Sequence, residues 1–574
     1  MKLTEALKIN QQVAADGASF AVTLACGFTP MHVKTFLTAH LLNALPGRNV
    51  VVEPGLYGNL VGTVEGTLSP DLQAIAIALE WADLDQRLGY RQTGGWSPAD
   101  LTDIITNVGQ MLHRLDAAIK RIRPSTKVVV SLPTLALPPV FVAPSFQASE
   151  AEMRLEQSLV NFAASIAQCS HVSIVNRQRL DEVSNRLDRL DLKAELLTGL
   201  SYKIPHADQV SAALARLICP LVPKKGLITD LDDTLWSGIV GEIGSSAVSW
   251  DLESHSQIHG LYQQLLQALA GQGVLLAIAS KNNLDVAQKT LARPDVLLSP
   301  DKIFPLEVHW RPKSGSVERI LKTWNIGADS VIFVDDSPME LAEVKAAHPA
   351  VECILFPKAD YAAVPAFLRN LRDLFGKSRI AEEDSLRLES IRGGADFQQA
   401  SEGATPDAFL EQMKASVLLD FSTAGADPRS LELVNKTNQF NLNGRRYTEN
   451  DWSKELNDPS TFVVSVAYQD KFGSLGKVAV LRGKQQNGAL QVASWVMSCR
   501  AFARRIEFQC LRVLFDRFHA DSIIFDFEGT PKNAPLQDFF KDILSETPLV
   551  APVGLSRQAF ESKCPPLYHA VSTN

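Results

Sequence analysis

Cysteine is scarce and unpaired in this chain: seven among 574 residues, none in a Cys-x-x-Cys spacing. That excludes a disulfide frame and a thiolate zinc site, and it suits a reducing compartment. No apolar run approaches the roughly 18 residues of a membrane-crossing helix, so no membrane partner is expected. Excess positive charge is missing too. A net charge of −8 and a pI near 5.8 argue against nucleic acid as the main partner. There is no internal repeat and no low-complexity tract. Met1 to Gln12 reads as a polar–apolar helix without a signal peptide's succession of basic and apolar regions. A cytoplasmic protein is expected.

What is present is ordinary globular composition, 46% hydrophobic and 21% charged, at a length that predicts about three or four domains. Three α/β blocks follow one another. Residues 1–220 alternate helical stretches (Met31 to Leu45, Asp100 to Ile122) with strand candidates at Phe20–Ala25, Val50–Val52, Val128–Val130 and His171–Val175. Residues 221–376 form a second block, in which Ile258, Leu261, Leu265 and Leu269 have helical spacing and Gly271 marks a stop. A charged helical linker is expected over 377–406. The last block, 407–574, alternates strands and helices more sparsely.

The central block carries the chemistry. Three apolar runs each end on polar residues: Gly226–Thr229 on Asp230-Leu-Asp232-Asp-Thr234, Val274–Ala279 on Ser280, and Val331–Val334 on Asp335-Asp336. Runs of this kind suit strands buried in a parallel sheet. In open α/β sheets the site lies just beyond the carboxyl ends of the strands. The three signals, with Lys313 between the second and third, are therefore expected to converge.

The residue types fit phosphoryl transfer. A carboxylate can attack an anionic phosphate ester only beside compensating positive charge. Asp230 and Asp335 offer hard oxygen ligands for Mg²⁺, with Asp232 and Asp336 in the same expected ligand set. Asp230 is the expected nucleophile, forming an aspartyl-phosphate. Asp232 would protonate the leaving oxygen and later take a proton from water. Ser280 would donate to a phosphoryl oxygen, and Lys313 would offset the crowded carboxylates. Thr234 and Asn282 are expected to contact substrate. Taken singly, each signal has a plainer explanation: a turn for the aspartates, a helix cap for Ser280, a solvated lysine for Lys313.

As an ordered set, these residues resemble the four motifs of the haloacid dehalogenase (HAD) superfamily. Only 50 residues separate Asp230 from Ser280, and 33 separate Ser280 from Lys313. Neither gap holds a sizeable cap, so a capless HAD-type sheet flanked by helices is expected. Wider segments resemble the FkbH-like group. They are Asp230 through Trp236 to Gly244, Trp310-Arg-Pro-Lys313-Ser314, Phe333 to Glu340, Asn435-Lys-Thr-Asn-Gln-Phe-Asn441 and Thr530-Pro-Lys-Asn533. That resemblance implies an acyl carrier protein as partner, its phosphopantetheine arm entering the site. It also implies a phosphorylated three-carbon substrate, whose glyceryl unit is loaded for polyketide or related assembly.

One position departs from the glyceryl-loading pattern. Leu231 stands where such proteins often have a cysteine, so no thioester can form there. Cys219 and Cys353 are expected to be buried small apolar residues. The first block resembles an SGNH hydrolase, with Gly27 and Phe28 in place of a nucleophile, Asn59 after a turn and His206 as a relic; an inactive domain is expected. The last block resembles a GNAT acyltransferase without its glycine-rich loop, where Arg500, Arg504 and Arg505 stand instead. Two other functions remain open: a capless phosphatase without acyl transfer, and a non-catalytic docking protein.

Overall fold

A computed structural model gives the fold and describes residues 1–11, 18–66, 69–94, 96–377, 387–389, 391–393, 406–421, 428–456, 458, 460–486, 489–498, 501–544 and 551–574. Two compact units divide the chain, Met1–Val222 and Pro223–Asn574.

The first unit is a five-stranded parallel sheet of β1 (Ser19–Ala25), β2 (Asn49–Pro54), β3 (Leu72–Ala78), β4 (Lys127–Ser131) and β5 (Val172–Ile174), in the order β2-β1-β3-β4-β5. Helices Met31–Ala44 and Leu101–Arg121 lie within a residue of their expected bounds. The central strand β3 is the one the sequence pattern misses. Its Leu-Gln-Ala-Ile-Ala-Ile-Ala run is rich in alanine, which has low strand propensity. From Ala74 onward it is buried without remainder, as a strand covered on both faces must be.

The second unit contains another parallel sheet: β6 (Gly226–Thr229), β7 (Leu275–Ser280), β8 (Ile303–Val308), β9 (Val331–Asp335) and β10 (Glu352–Leu355), ordered β10-β9-β6-β7-β8. Every residue of β6, β7 and β9 is buried, so the three expected strands occupy the centre. β8 and β10 are the edges. β8 carries Pro305, which breaks a strand pattern in sequence but is tolerated on an edge. A Cβ at position 226 would lie 2.4 Å from the Trp324 ring, which explains glycine at the start of β6. The helix containing Ile258 spans Gln257–Gly271, so Gly271 is its last residue rather than a stop beyond it.

The rest of this unit is an eight-stranded, mainly antiparallel sheet. It comprises β11 (Ser416–Asp420), β13 (Thr461–Asp470), β14 (Gly473–Gln486), β15 (Ala489–Met497), β16 (Ser522–Phe525), β17 (Val553–Ser556) and β18 (Ala570–Thr573), with β12 (Phe440–Asn441) against β15. Most of the expected linker lies outside the described residues. Its described parts, 387–389 and 391–393, are helical. Arg387 and Arg392 there donate to the carbonyls of Gly273 and Ile303.

Candidate active site

Three adjacent strands deliver three of the expected groups. Asp230 directly follows β6, and its N–H continues the ladder by donating to the Val334 carbonyl at 3.0 Å. Ser280 and Asp335 are the last residues of β7 and β9, which flank β6 on its two sides. Lys313 opens the helix Lys313–Trp324 just after β8. All four are buried.

Lys313 ties the carboxylates together. Its Nζ donates to Asp335 Oδ2 at 2.6 Å and stands 3.0 Å from Asp230 Oδ1. The second contact is off the hydrogen-bonding direction, so this buried oxygen has an ion pair but no aligned donor. The Ser280 hydroxyl beside it also favours the charged form of the Asp230 carboxylate. Burial pushes the Asp230 carboxyl upward, opposed by Lys313. Burial likewise raises Asp335, to about 6, with the Asp230 charge adding to it and Lys313 opposing. Burial works to lower Lys313, but the two carboxylates outweigh it and hold the ammonium above its ordinary range. A charged lysine between acidic partners is what that balance favours.

One oxygen each from Asp230, Asp335 and Asp336 can be chosen so that all lie within 4.8 Å of one another. A compact set of hard carboxylate oxygens, one without an aligned donor, fits a small divalent cation that keeps water and substrate oxygens as its other ligands. Asp232, expected in the same set, lies outside this group. Its Oδ1 accepts from Trp236 Nε1 at 2.8 Å and from the Val240 N–H at 3.1 Å, and its Oδ2 from Asn282 Nδ2 at 3.1 Å. Burial raises the Asp232 carboxyl nonetheless, against the Val240 and Trp236 donors.

Asn282 and Thr234, expected to contact substrate, each hydrogen-bond a carboxylate within the site. The Asn282 amide is used on Asp232, and Asn282 Oδ1 accepts from the Asn283 N–H. Thr234 is wholly buried, and its hydroxyl donates to Asp336 Oδ1 at 3.3 Å. Both support site carboxylates. The reason is the tight turn after β6, where the N–H groups of Thr234, Leu235 and Trp236 all reach the Leu231 carbonyl. That turn folds the motif back on itself and buries the Leu231 side chain in the core. Lys358, which no motif includes, also enters the site. Its Nζ pairs with Asp336 Oδ2 at 2.6 Å and Asp233 Oδ2 at 2.9 Å. The only sequence signal for it is a lysine just beyond the apolar run Ile354-Leu355-Phe356.

The weaker candidates do not converge. In the first unit, Asn59 caps the helix Leu60–Glu65. His206 is buried between the Thr134 and Ser184 hydroxyls at 2.8 and 2.9 Å, and burial lowers its imidazole to about 3. Gly27 backs onto Asp83, whose Oδ1 lies 1.8 Å from where a Cβ would be. Cys219 and Cys353 are half-buried rather than buried.

In the last block, Arg500 lies outside the described residues. Arg504 is buried against Asp470, at 3.4 Å, and over the Tyr468 ring. Arg505 pairs with Asp407 and donates to the Pro566 carbonyl. Neither is a solvated basic face. The segments around Asn441 and Asn533 do meet. β15 and β16 pair only over Ala489–Val492 and Ser522–Phe525. Beyond that, Asn443 Nδ2 bridges the Ala493 and Asp526 carbonyls, and Asn533 Nδ2 joins those of Asn441 and Glu528. These amides satisfy backbone carbonyls in and just beyond the strands where they part.

No protein-family model matches the chain, and no curated protein matches it in sequence. Solved structures do match in fold. One is the N-terminal part of the protein BF1531 from Bacteroides fragilis, which contains a phosphatase domain and was crystallised in complex with Mg. The likeness has a TM-score of 0.51 at 19% identity and covers 66% of this chain and all of that one. At that identity the match speaks for a shared fold. No helix among the described residues is long and apolar enough to cross a membrane.

Proposed function

We propose that this chain is a Mg²⁺-dependent phosphatase of the HAD type, with Asp230 as nucleophile and Asp232 as general acid–base. The observation that carries this reading is Lys313 lodged between Asp230 and Asp335, with Asp336 completing a three-carboxylate group. Asp230, Asp335 and Asp336 would hold Mg²⁺, which supplies positive charge against the phosphate. The Bacteroides domain of similar fold, itself complexed with Mg, supports that choice of ion.

The chain's own residues divide the work. An Asp230 oxygen attacks phosphorus, the ester P–O bond breaks, and the leaving oxygen takes the Asp232 proton. Asp232, now a carboxylate, takes a proton from water as that water attacks the aspartyl-phosphate. Asp230 and inorganic phosphate are released. Lys313 and Ser280 hold Asp230 in place throughout. The test is phosphate release from p-nitrophenyl phosphate with Mg²⁺. Asp230→Asn should abolish it, and full activity in that variant would remove Asp230 as nucleophile.

A finer reading follows from the FkbH-like segments: removal of phosphate coupled to loading of a glyceryl unit on an acyl carrier protein. It is supported by the surroundings of the site. The loops beyond the strand ends leave Trp310 70% and Met339 73% exposed, with Ile239 and Leu284 also outward. Exposed apolar side chains on these loops suit contact with a carrier protein. Leu231 is core and offers no thiol, so the carrier's thiol would itself attack the acyl-phosphate carbonyl of the bound substrate, forming the thioester as the C–O bond breaks and inorganic phosphate leaves. Intact-protein mass spectrometry with 1,3-bisphosphoglycerate and a carrier tests this. A glyceryl adduct on the enzyme alone counts against it, and an unchanged carrier leaves the phosphatase without transfer.

A further inference from the structure

We propose that Lys358 is a positioning residue for the metal set, holding Asp336 in its ligating orientation from outside the four motifs. The proposal rests on the reading of Asp230, Asp335 and Asp336 as metal ligands. Those three differ in how they are held. Asp230 and Asp335 are buried and share Lys313, and Asp335 Oδ1 also accepts the Ser337 N–H at 2.9 Å. Asp336 stands one residue past the end of β9, in the loop, without the strand ladder to fix it.

Among the described residues, two groups restrain its carboxylate. Thr234 reaches Oδ1 at 3.3 Å, near the long limit of a hydrogen bond, so it is the weaker restraint. Lys358 reaches Oδ2 at 2.6 Å, the short distance of a charge-assisted bond. The same ammonium bonds Asp233 Oδ2 at 2.9 Å. Asp233 has φ of +52°, a left-handed conformation that is uncommon outside glycine and that aspartate tolerates. Its other oxygen accepts the Gly238 N–H at 2.8 Å. Lys358 thus clasps the turn after β6 to the loop after β9, and the ligand carboxylate lies in the clasp.

A positive charge beside a ligand also repels a cation, so the two effects oppose each other. The Lys358 side chain is 43% exposed, and water and salt screen its charge. Orientation is not screened. Groups that orient metal ligands in this way are typically worth about 10- to 100-fold in affinity. Orientation is therefore expected to dominate.

The experiment is Mn²⁺ binding to the full chain, followed by the EPR signal of the free ion and by competition with Mg²⁺. Lys358→Met should weaken binding about 10- to 100-fold. Lys358→Arg, which can still bridge two carboxylates, should recover most of it. In Lys358→Met, the Mg²⁺ concentration that gives half-maximal p-nitrophenyl phosphate hydrolysis should rise by the same factor as the Mn²⁺ dissociation constant. Unchanged or tighter Mn²⁺ binding in Lys358→Met would overturn the assignment, as would a fall in kcat with affinity intact. A wild-type chain that binds no Mn²⁺ removes the metal reading and this proposal with it. One that binds Mn²⁺ but hydrolyses no ester removes the phosphatase reading alone, and the Lys358 comparison is then decided by affinity.

Discussion

Lys313 and Asp335 form a buried ion pair of 2.6 Å at the end of strand β9, and the same ammonium lies 3.0 Å from Asp230. One cation therefore balances two carboxylates that would otherwise repel each other with little water between them. Lys313→Met should lower stability by about 3–5 kcal/mol at neutral pH, the usual loss when a buried pair is broken. Adding Asp335→Asn should return most of that stability while phosphate release stays lost. Urea midpoints of the single and double variants measure both. A double variant no more stable than Lys313→Met would show that charge balance is not what Lys313 supplies.

Asn282 donates to Asp232 Oδ2 and so favours the charged form of that carboxylate. Removing it in Asn282→Ala should raise the Asp232 pKa. Asp232 must carry a proton to assist the leaving group, so the alkaline limb of the pH–rate profile should move to higher pH. Loss of orientation should cost about tenfold with poor leaving groups and less with good ones, since general-acid help matters most there. A substrate-binding role predicts a raised KM with both leaving groups and an unmoved pH limb. Comparing alkyl with nitrophenyl esters across pH separates the two.

Gly27 has no room for a side chain, because Asp83 Oδ1 occupies the place of a Cβ. Gly27→Ser should destabilise the first unit by about 1–3 kcal/mol through overpacking, and it should create no esterase activity. Thermal unfolding and a nitrophenyl acetate assay provide the check. A stable, esterolytic variant would mean that the pocket opens on its own.

His206 gives the first unit a pH signature. Burial lowers its imidazole from 6.5 to about 3, so the folded state binds fewer protons than the unfolded state between those values. Its contribution is complete above pH 6.5 and is lost as pH falls. From pH 7 to 5 that loss is about 2 kcal/mol. Asp83 works the other way: burial raises it to about 7, favouring the fold as pH falls through the same window. The wild-type profile mixes both, and the difference from His206→Gln isolates the histidine. That difference should shrink by about 2 kcal/mol between pH 7 and 5 in urea titrations. A constant difference would place the imidazole in contact with water.

Much of the site was legible from the chain alone, and the reason is local. Asp230, Ser280 and Asp335 each end a run of buried apolar residues, and a parallel sheet leaves such residues at one edge in register. Order along the chain, strand ends and residue types therefore foretold that Asp230, Ser280, Lys313 and Asp335 would meet. Strands β6, β7 and β9 were visible because a strand buried on both faces leaves an unbroken apolar run. β3 escaped notice because alanine, chosen for close packing, carries little strand signal. β8 escaped because its proline is permitted only on an edge, and edge position is a property of the whole sheet.

What the tertiary structure alone decided is which partner each polar group takes. Asn282 donates to Asp232 and Thr234 to Asp336, partners that no motif spacing specifies. Asp232 and Asp336 are alike in sequence, each within three residues of a strand end. Asp336 joins the metal set, while Asp232 is held away by Trp236, Val240 and Asn282. Lys358 lies 22 residues after Asp336 and 125 after Asp233. No spacing rule links positions so far apart. Strand ends are fixed by short-range patterning, but hydrogen bonds and ion pairs act over about 3 Å, and only the folded chain brings their partners within that reach.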